Sequence, residues 1–386
     1  MMHLAFLTPE YPHPLAKASA GIGSSIKNMA LALSEKGIKI SIFIYAQQEN
    51  TIFEEKGIKF HFIQQKNYHF SGWYSYRKYL QKYLNKYIVE DHIDALEAPD
   101  WTGITAFMKL KCPLVIRMNG TDTYFCALEH RPQKKKNYWF EKQALQKADH
   151  LLSVSEFTAQ KSKELFSLEK EITVIPNSIN TEKFQPLAVP IIPKTILYFG
   201  SIIRKKGVLE LAEIFNEVVK FQPNAQLIMA GKDVPDYKTG TSTKHLMIQL
   251  LSREASQKIK WLGNLKYEDV ENELAKAHVV VLPSFAEALP MTWIEAMAME
   301  KALVTSNIGW AEEVMINGQT GFAENPEDHK AFAEKILKLL NDPFLCQKLG
   351  KAARIRVEEK FSARMVVEKN IKFYKKILSL RGGTTK

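Results

Sequence analysis

Short runs of β-branched and aromatic residues alternate with helix-patterned text through almost the whole chain, and that rhythm allows few folds. In the first half the runs are "LAFLT" (4–8), "IKISIFIY" (38–45), "IKFHFI" (58–63), "DALEA" (94–98), "PLVIRM" (113–118), "HLLSVS" (150–155) and "ITVIP" (172–176). A helix over 23–36 is expected to stop at Gly37, directly after Lys36. Strands joined by helical crossovers form parallel sheets. The stretch "INTEKFQPLAVPIIPK" (179–194) then breaks the rhythm with three prolines and no helical period, as a linker would. A second alternation follows in "TILYFG" (195–200), "AQLIMAG" (225–231), "KIKWLG" (258–263), "HVVVLPS" (278–284) and "ALVTS" (302–306), and 327–380 reads as helix throughout. The expectation is an α/β chain of two Rossmann-like domains, 1–180 and 195–361, joined by a linker at 181–194. Ligands of such sheets bind beyond the carboxyl ends of the strands, so a cleft lined by those loops is where a site is sought.

The bulk properties narrow the function. A chain of 386 residues exceeds the usual single core, and 46% hydrophobic with 25% charged residues suits an ordinary soluble protein. The opening "MMHLAFLTPEYPHP" lacks the basic start and cleavage site of a signal peptide, and no apolar run approaches membrane-spanning length. Three scattered cysteines argue against disulfides or zinc, so a reducing cytoplasm is expected, with peripheral contact to the inner face of a cell membrane left open. Net charge of +11 favours anionic partners: a phosphorylated small molecule, an anionic membrane face or nucleic acid. Nucleic acid ranks last, because basic and aromatic residues do not interleave. "GIGSSI" (21–26) is not a dinucleotide fingerprint, since Ile26 replaces the third glycine and no acid closes the second strand.

The stretch most suggestive of chemistry is "SFAEALPMTWIEAMAMEKALVTSNIG" (284–309), which carries Glu287 and Glu295 with seven residues between them. Pro290 is expected to open a helix, leaving backbone N–H groups of 284–289 available to an anion at its N-terminus. A nucleotide sugar would use both features, with its diphosphate on N–H groups and a cation and its two sugars on the carboxylates. Two solvated acids on a core helix fit the spacing equally well.

The wider context favours the first reading. "PSFAEALPMTWIEAMAMEKALVTSNIGWAEEVMINGQTGF" (283–322) resembles the E-x7-E region of the family 4 retaining glycosyltransferases, which have the GT-B fold. "AGIGSSIKNMALALSEKGIKISIF", "EAPDWTG" (97–103), "SVSEFT" (153–158), "VIPNSINTEKF" (174–184) and "LYFGSIIRKKGVLELAEIF" (197–215) resemble further blocks of that family in the expected order. The resemblance implies two Rossmann-like domains facing each other across a cleft, with a C-terminal helix (362–386) crossing back to the N-terminal domain. It implies that Glu295 binds the ribose hydroxyls and Glu287 contacts the donor sugar near the reacting centre. The backbone of Ala288, Leu289 and Met291 would line sugar and phosphates, Lys206 would hold the diphosphate, and Gly21 would let the N-terminal loop approach it.

Two positions depart from the family pattern. Ser201 stands where an arginine is usual, with Arg204 three residues on as a candidate replacement. Asn119, in "VIRMNGTDTYF", stands where many members carry histidine; it can exchange hydrogen bonds but cannot titrate. His13 and His130 are the histidines of the candidate cleft loops, and each reads first as a surface residue. No D-x-D triplet occurs, so no metal and no other cofactor is expected. The helix over 72–90 has Trp73, Tyr76, Leu80, Leu84 and Tyr87 on one face and either packs on its sheet or lies on an anionic membrane. The cluster Arg131, Lys134, Lys135 and Lys136 is a second candidate for lipid-head or acceptor-phosphate contact.

Taken together, these features predict a metal-independent retaining glycosyltransferase that moves a sugar from a nucleoside-diphosphate donor to a hydroxyl. A surface glycan or lipid-linked oligosaccharide, of lipopolysaccharide or capsule type, is the expected acceptor. A nucleotide-sugar-binding protein without transferase activity, and a hydrolase or epimerase of nucleotide sugars with the same fold, are the alternatives.

Overall fold

The computed structural model describes residues 2–18, 21–69 and 71–382. They divide into two compact units, one of 1–179 with 362–386 and one of 180–361. In chain order the first unit holds β1 (His3–Thr8), α1 (Gly21–Glu35), β2 (Lys39–Gln47), β3 (Thr51–Glu55), β4 (Ile58–Gln64), α2 (Gly72–Glu90) and β5 (Ala95–Pro99). It continues with β6 (Leu114–Met118), α3 (Asp122–Leu128), α4 (Lys135–Lys147), β7 (His150–Ser153), α5 (Glu156–Phe166) and β8 (Ile172–Val174). The eight strands lie in the order β3-β4-β2-β1-β5-β6-β7-β8, parallel except for β3. The strand order reverses between β1 and β5, the switch point at which open α/β sheets take ligands.

Strand β3 was not expected from the sequence. "TIFEE" forms an edge strand with no fully buried residue, hairpinned to β4 through Lys56 and Gly57, whose φ angles are 52° and 72°. Two positive φ values in a two-residue loop make the type I′ turn that matches strand twist, a turn usually announced by Asn-Gly.

Helix α2 settles one expectation against the membrane. Its Tyr76, Leu80, Leu84 and Ile88 are buried in a core with Leu7, Phe43, Leu96 and Ile116 of the sheet, and Trp73 and Tyr87 pack against the same cluster. The apolar face is therefore occupied by the protein's own sheet and is not free to lie on a bilayer.

The second unit holds β9 (Thr195–Phe199), α6 (Val208–Phe221), β10 (Gln226–Ala230), α7 (Thr243–Leu250), α8 (Arg253–Ser256), β11 (Ile259–Gly263), α9 (Tyr267–Lys276) and β12 (Val279–Leu282). There follow α10 (Met291–Ala298), β13 (Leu303–Ser306), α11 (Ala311–Val314), β14 (Phe322–Glu324), α12 (His329–Asn341) and α13 (Pro343–Lys360). Its sheet is parallel throughout in the order β11-β10-β9-β12-β13-β14, with the switch point between β9 and β12. The linker segment 181–194 is hydrogen-bonded to this unit. Ile192 N–H donates to the Lys276 carbonyl at 2.9 Å, and the Arg354 guanidinium donates to the carbonyls of Phe184 and Thr181.

The last helix, α14 (Ala363–Gly382), returns to the first unit. Its Val366, Val367, Phe373, Tyr374 and Ile377 join a core with Leu4, Phe6, Met29 and Ile42. A buried polar network fixes it further. Arg117 on β6 donates to both carboxylate oxygens of Glu97 on β5, at 2.7 and 3.0 Å, and to Asn370 Oδ1 at 2.7 Å. Tyr374 Oη donates to Glu97 Oε2. Burial alone would lower the Arg117 pKa, but Glu97 and Tyr374 more than offset it and hold the guanidinium above its ordinary value.

Candidate active site

In the second unit the functional loops follow the strands on either side of the switch point. Three neighbouring strands end in glycine: Gly200 after β9, Gly231 after β10 and Gly263 closing β11, with φ of 134°, 159° and 69°. A Cβ on Gly231 would lie 1.7 Å from the Gly200 carbonyl oxygen, so only glycine permits this approach. The Gly200 N–H donates to Ala230 O, and the Ile202 N–H to Lys232 O, both at 2.9 Å, which fixes the turn Gly200–Ser201. Tyr198 secures the same turn from beneath: its hydroxyl donates to Ser201 O at 2.7 Å. Burial, with the Glu287 carboxylate nearby, pushes that phenol well above its usual range.

From there a short 3-10 turn, Arg204–Lys206, leads to Gly207 and α6. Gly207 has φ of 69°, and a Cβ on it would lie 1.9 Å from the Pro283 carbonyl oxygen. The Phe285 N–H donates to Lys205 O at 2.8 Å. The loops after β9 and β12 are thus zipped backbone to backbone, which is why Lys206 Nζ can donate to Glu287 Oε1. Both side chains are mostly buried, at 19% and 11% exposure.

The helix after β12 starts one residue later than expected. Pro290 is its extended cap and Met291 its first residue. Phe285 is not a free donor, so the row of open N–H groups expected over 284–289 is incomplete. Ala288 and Leu289 are buried beside Glu287, and Met291 is half-buried. Glu295 lies on the second turn of α10, 8% exposed. It lines a pocket of about 170 Å³ with Gly200, Ser201, Gly231, Lys232 and Asn264. The pocket therefore opens where β9, β10 and β11 end.

Arg204 does not turn towards this pocket as a substitute for the arginine absent at Ser201. It forms a two-pronged pair with Asp236, Nε to Oδ1 at 2.6 Å and Nη2 to Oδ2 at 3.0 Å, and Thr239 also donates to that carboxylate. The shared hydrogen bonds raise the Arg204 pKa and lower that of Asp236. Lys232 is the cation among the pocket residues, and the sequence reading missed it. Its signal was the repeated strand-then-glycine ending, of which "MAGK" is one instance.

In the first unit, Asn119 follows β6 and faces a small pocket with Phe6, Ser25, Glu97, Arg117 and Asn177. Its amide Nδ2 donates to Arg117 O at 3.2 Å, and Asn177 Nδ2 donates to its Oδ1 at 3.4 Å. Asp100, fully buried after β5, accepts the N–H of Asn119 at 3.0 Å and of Gly120 at 3.1 Å. Burial pushes this carboxyl up to about 7 against the pull of those donors. Glu141 performs the same service for the next residues, accepting the N–H groups of Asp122 and Thr123. The loop 119–123 thus rests on two carboxylates that sequence reading assigned no role.

Gly21 is the first residue of α1, with open space where a Cβ would lie, and a Cβ on Gly23 would lie 2.8 Å from Glu10 O. Ala20 of the same expected glycine loop lies outside the described residues. His13 packs against Phe53, Phe60 and Phe62 and sits 3.2 Å from Glu55, while His130 is exposed. Arg131 is paired with Asp122 and Glu129, leaving Lys134, Lys135 and Lys136 exposed. Among the described residues no cluster of three or more His, Cys, Asp or Glu side chains is placed to hold a metal ion, and no helix is long and apolar enough to cross a membrane.

A family model of glycosyl transferases group 1 matches residues 180–356, and one of glycosyltransferase family 4 matches 19–183. The chain belongs to this glycosyltransferase family. Among relatives of the family, the capsular polysaccharide biosynthesis glycosyltransferase CapM of Staphylococcus aureus is 30% identical over 262 residues, covering 62% of this chain and 65% of that protein. Glycogen synthase of Mycobacterium tuberculosis is 30% identical over 234 residues, 60% of this chain and 55% of that one. The chain thus spans somewhat under two thirds of these curated relatives. Among solved structures, sucrose-phosphate synthase from Thermosynechococcus elongatus superposes with a TM-score of 0.81 at 18% identity, covering 98% of this chain and 100% of that one. Anabaena HepE in complex with UDP and glucose gives 0.77 at 15% identity, covering 97% and 100%. The fold is GT-B, as these GT-B neighbours and the two parallel-sheet units agree.

Proposed function

We propose that the protein is a retaining glycosyltransferase that moves a sugar from a nucleoside-diphosphate donor to a hydroxyl. The observation that carries this reading is the pairing of Lys206 with Glu287 at the switch point of the second unit, next to the pocket lined by Glu295. Glu295 accepts hydrogen bonds from the ribose hydroxyls. Lys206 has three donors, so it can keep Glu287 and still take a phosphate oxygen. Its charge stabilises the diphosphate as it leaves, while Glu287 faces positive charge developing at the anomeric carbon. Lys232 supplies the second phosphate contact that Arg204, held by Asp236, does not.

Asn119 and the first unit serve the acceptor side. Asn119 orients hydroxyls and transfers no proton, so the departing phosphate oxygen is the acceptor of the incoming hydroxyl's proton. HepE's complex with UDP and glucose supports a nucleotide-sugar donor, and CapM's role in capsule biosynthesis supports a surface-glycan acceptor. The absence of a D-x-D triplet supports metal independence, which unchanged transfer in excess chelator would bear out.

Calorimetry with a panel of nucleoside diphosphates and their sugars tests the donor site. Glu295→Ala should weaken nucleotide binding at least tenfold, the loss of about 1.4 kcal/mol. Glu287→Ala should leave that affinity within a few-fold and lower turnover. Unchanged nucleotide affinity in Glu295→Ala would remove the ribose assignment, and nucleotide binding without transfer to any added acceptor would favour a binding protein.

A further inference from the structure

Four aromatic rings of the first unit touch in series, at the starts of α2 and α4 and in the crossing from β5 to β6. Tyr74 lies 5.7 Å from Trp73 between ring centres, Trp73 lies 6.0 Å from Phe107, and Phe107 lies 4.9 Å from Trp139. Trp139 is 45% exposed and Tyr74 42%, with Trp73 and Phe107 half-buried between them. A continuous exposed apolar surface of this kind marks a contact site, where scattered single residues would not.

The surface is built on a fixed floor. Arg77, 7% exposed, donates to the carbonyls of Trp73, Thr102 and Gly103 and lies 4.2 Å from the Phe140 ring centre. Phe107 has φ of 65°, uncommon for so bulky a residue, and Lys78 Nζ donates to its carbonyl at 2.6 Å. Such a conformation persists only where its surroundings enforce it.

The charge around the rings has one sign. The chain segments that supply them, 66–89, 101–121 and 130–148, contain a single acid, Glu141. That carboxylate is fully buried and accepts the N–H groups of Asp122 and Thr123. Lys134, Lys135 and Lys136, just before and at the start of α4, are all exposed.

We propose that this surface docks the chain on an anionic lipid bilayer, with the rings at the headgroup boundary and Lys134, Lys135 and Lys136 against the headgroups. Trp and Tyr suit that boundary, because each joins an apolar ring to a polar tip. Nucleic acid fits less well. Bases stack on open ring faces, whereas these rings lean on one another at 44° to 76°. The buried face of α2 stays on its sheet, and only its first turn takes part. Both helices begin at the carboxyl end of that sheet, the end that carries Asn119. Delivery of a lipid-borne acceptor there rests on the acceptor reading above; the docking itself does not.

Flotation of the full chain with vesicles tests it. Vesicles of phosphatidylcholine with phosphatidylglycerol should carry the chain, and pure phosphatidylcholine should bind at least tenfold less. The triple variant Lys134→Gln, Lys135→Gln, Lys136→Gln should bind the anionic vesicles at least tenfold more weakly. The same charge change on the outer face of α14, Lys369→Gln, Lys372→Gln, Lys375→Gln, should leave binding within a few-fold. Tyr74→Ser with Trp139→Ser should weaken binding at least tenfold without moving the melting temperature, since both side chains are exposed. Brominated acyl chains should quench the parent's tryptophan fluorescence, and less so in Trp139→Phe. Failure to float with anionic vesicles, equal binding to neutral ones, equal loss in the two lysine triples, or indifference to the ring substitutions would each overturn the proposal. Displacement from vesicles by a mixed-sequence oligonucleotide, lost in the Lys134–Lys136 variant, would assign the surface to nucleic acid instead.

Discussion

The network that holds α14 allows a quantitative test. Glu97→Gln keeps the side chain's shape but removes the charge opposite Arg117, a guanidinium 6% exposed that donates to both Glu97 oxygens. Removing one partner of a buried pair strands the other charge and costs about 3–5 kcal/mol. In a unit of this size that corresponds to a fall of about 6–20 °C in melting temperature. Tyr374→Phe deletes one hydrogen bond to the same carboxylate, worth about 1.5–3 kcal/mol when the acceptor is charged. The two changes share a partner, so their effects should not add. Hydrogen exchange read at the α14 amides locates the effect, because α14 supplies Asn370 and Tyr374 and should lose protection first. If Glu97→Gln costs under about 1 kcal/mol, or α14 exchange is unchanged, the network does not hold the helix and the reasoning fails.

Other outcomes follow from single contacts. Gly231→Ala should destabilise the protein by at least about 2 kcal/mol and abolish nucleotide binding, since its Cβ would overlap the Gly200 carbonyl; a melting curve and one calorimetric titration decide it. Lys232→Ala should raise the nucleotide Kd with little change in stability, whereas Arg204→Ala should lower stability more than affinity, as an arginine engaged by Asp236 predicts. Asp100 sets a pH slope. Its folded pKa of about 7 lies above the unfolded value of about 3.9, so the folded state holds its proton more tightly and stability falls as pH rises from one to the other. Urea midpoints at pH 5 and 8 should show that fall in the parent and a smaller one in Asp100→Asn; equal slopes would contradict it.

The strands were legible in the sequence because parallel strands buried on both faces are written as continuous apolar runs. "TIFEE" escaped because an edge strand has one wet face and its turn uses Lys-Gly. The prolines of 181–194 mark irregular backbone without saying what it packs on, which here is the second unit. Lys206, Glu287 and Glu295 are singled out by an ordered set of family blocks, and the structure places Lys206 and Glu287 in contact. Arg204 went astray because its partner, Asp236, is far along the chain and no local pattern links them. Asp100 and Glu141 were invisible for a similar reason: a carboxylate that accepts backbone N–H groups across a loop looks, in one dimension, like any other acid.

The return of α14 also has a consequence in time. The first unit's sheet is complete by residue 174, yet Asn370 and Tyr374, which close its buried network, are made some two hundred residues later. On the ribosome, at roughly 5–20 residues per second, the N-terminal half must wait about ten seconds or more with Arg117 and Glu97 lacking those partners. The second unit, continuous in sequence from 180 to 361, can finish during that wait. The half of the protein that is begun first is therefore finished last.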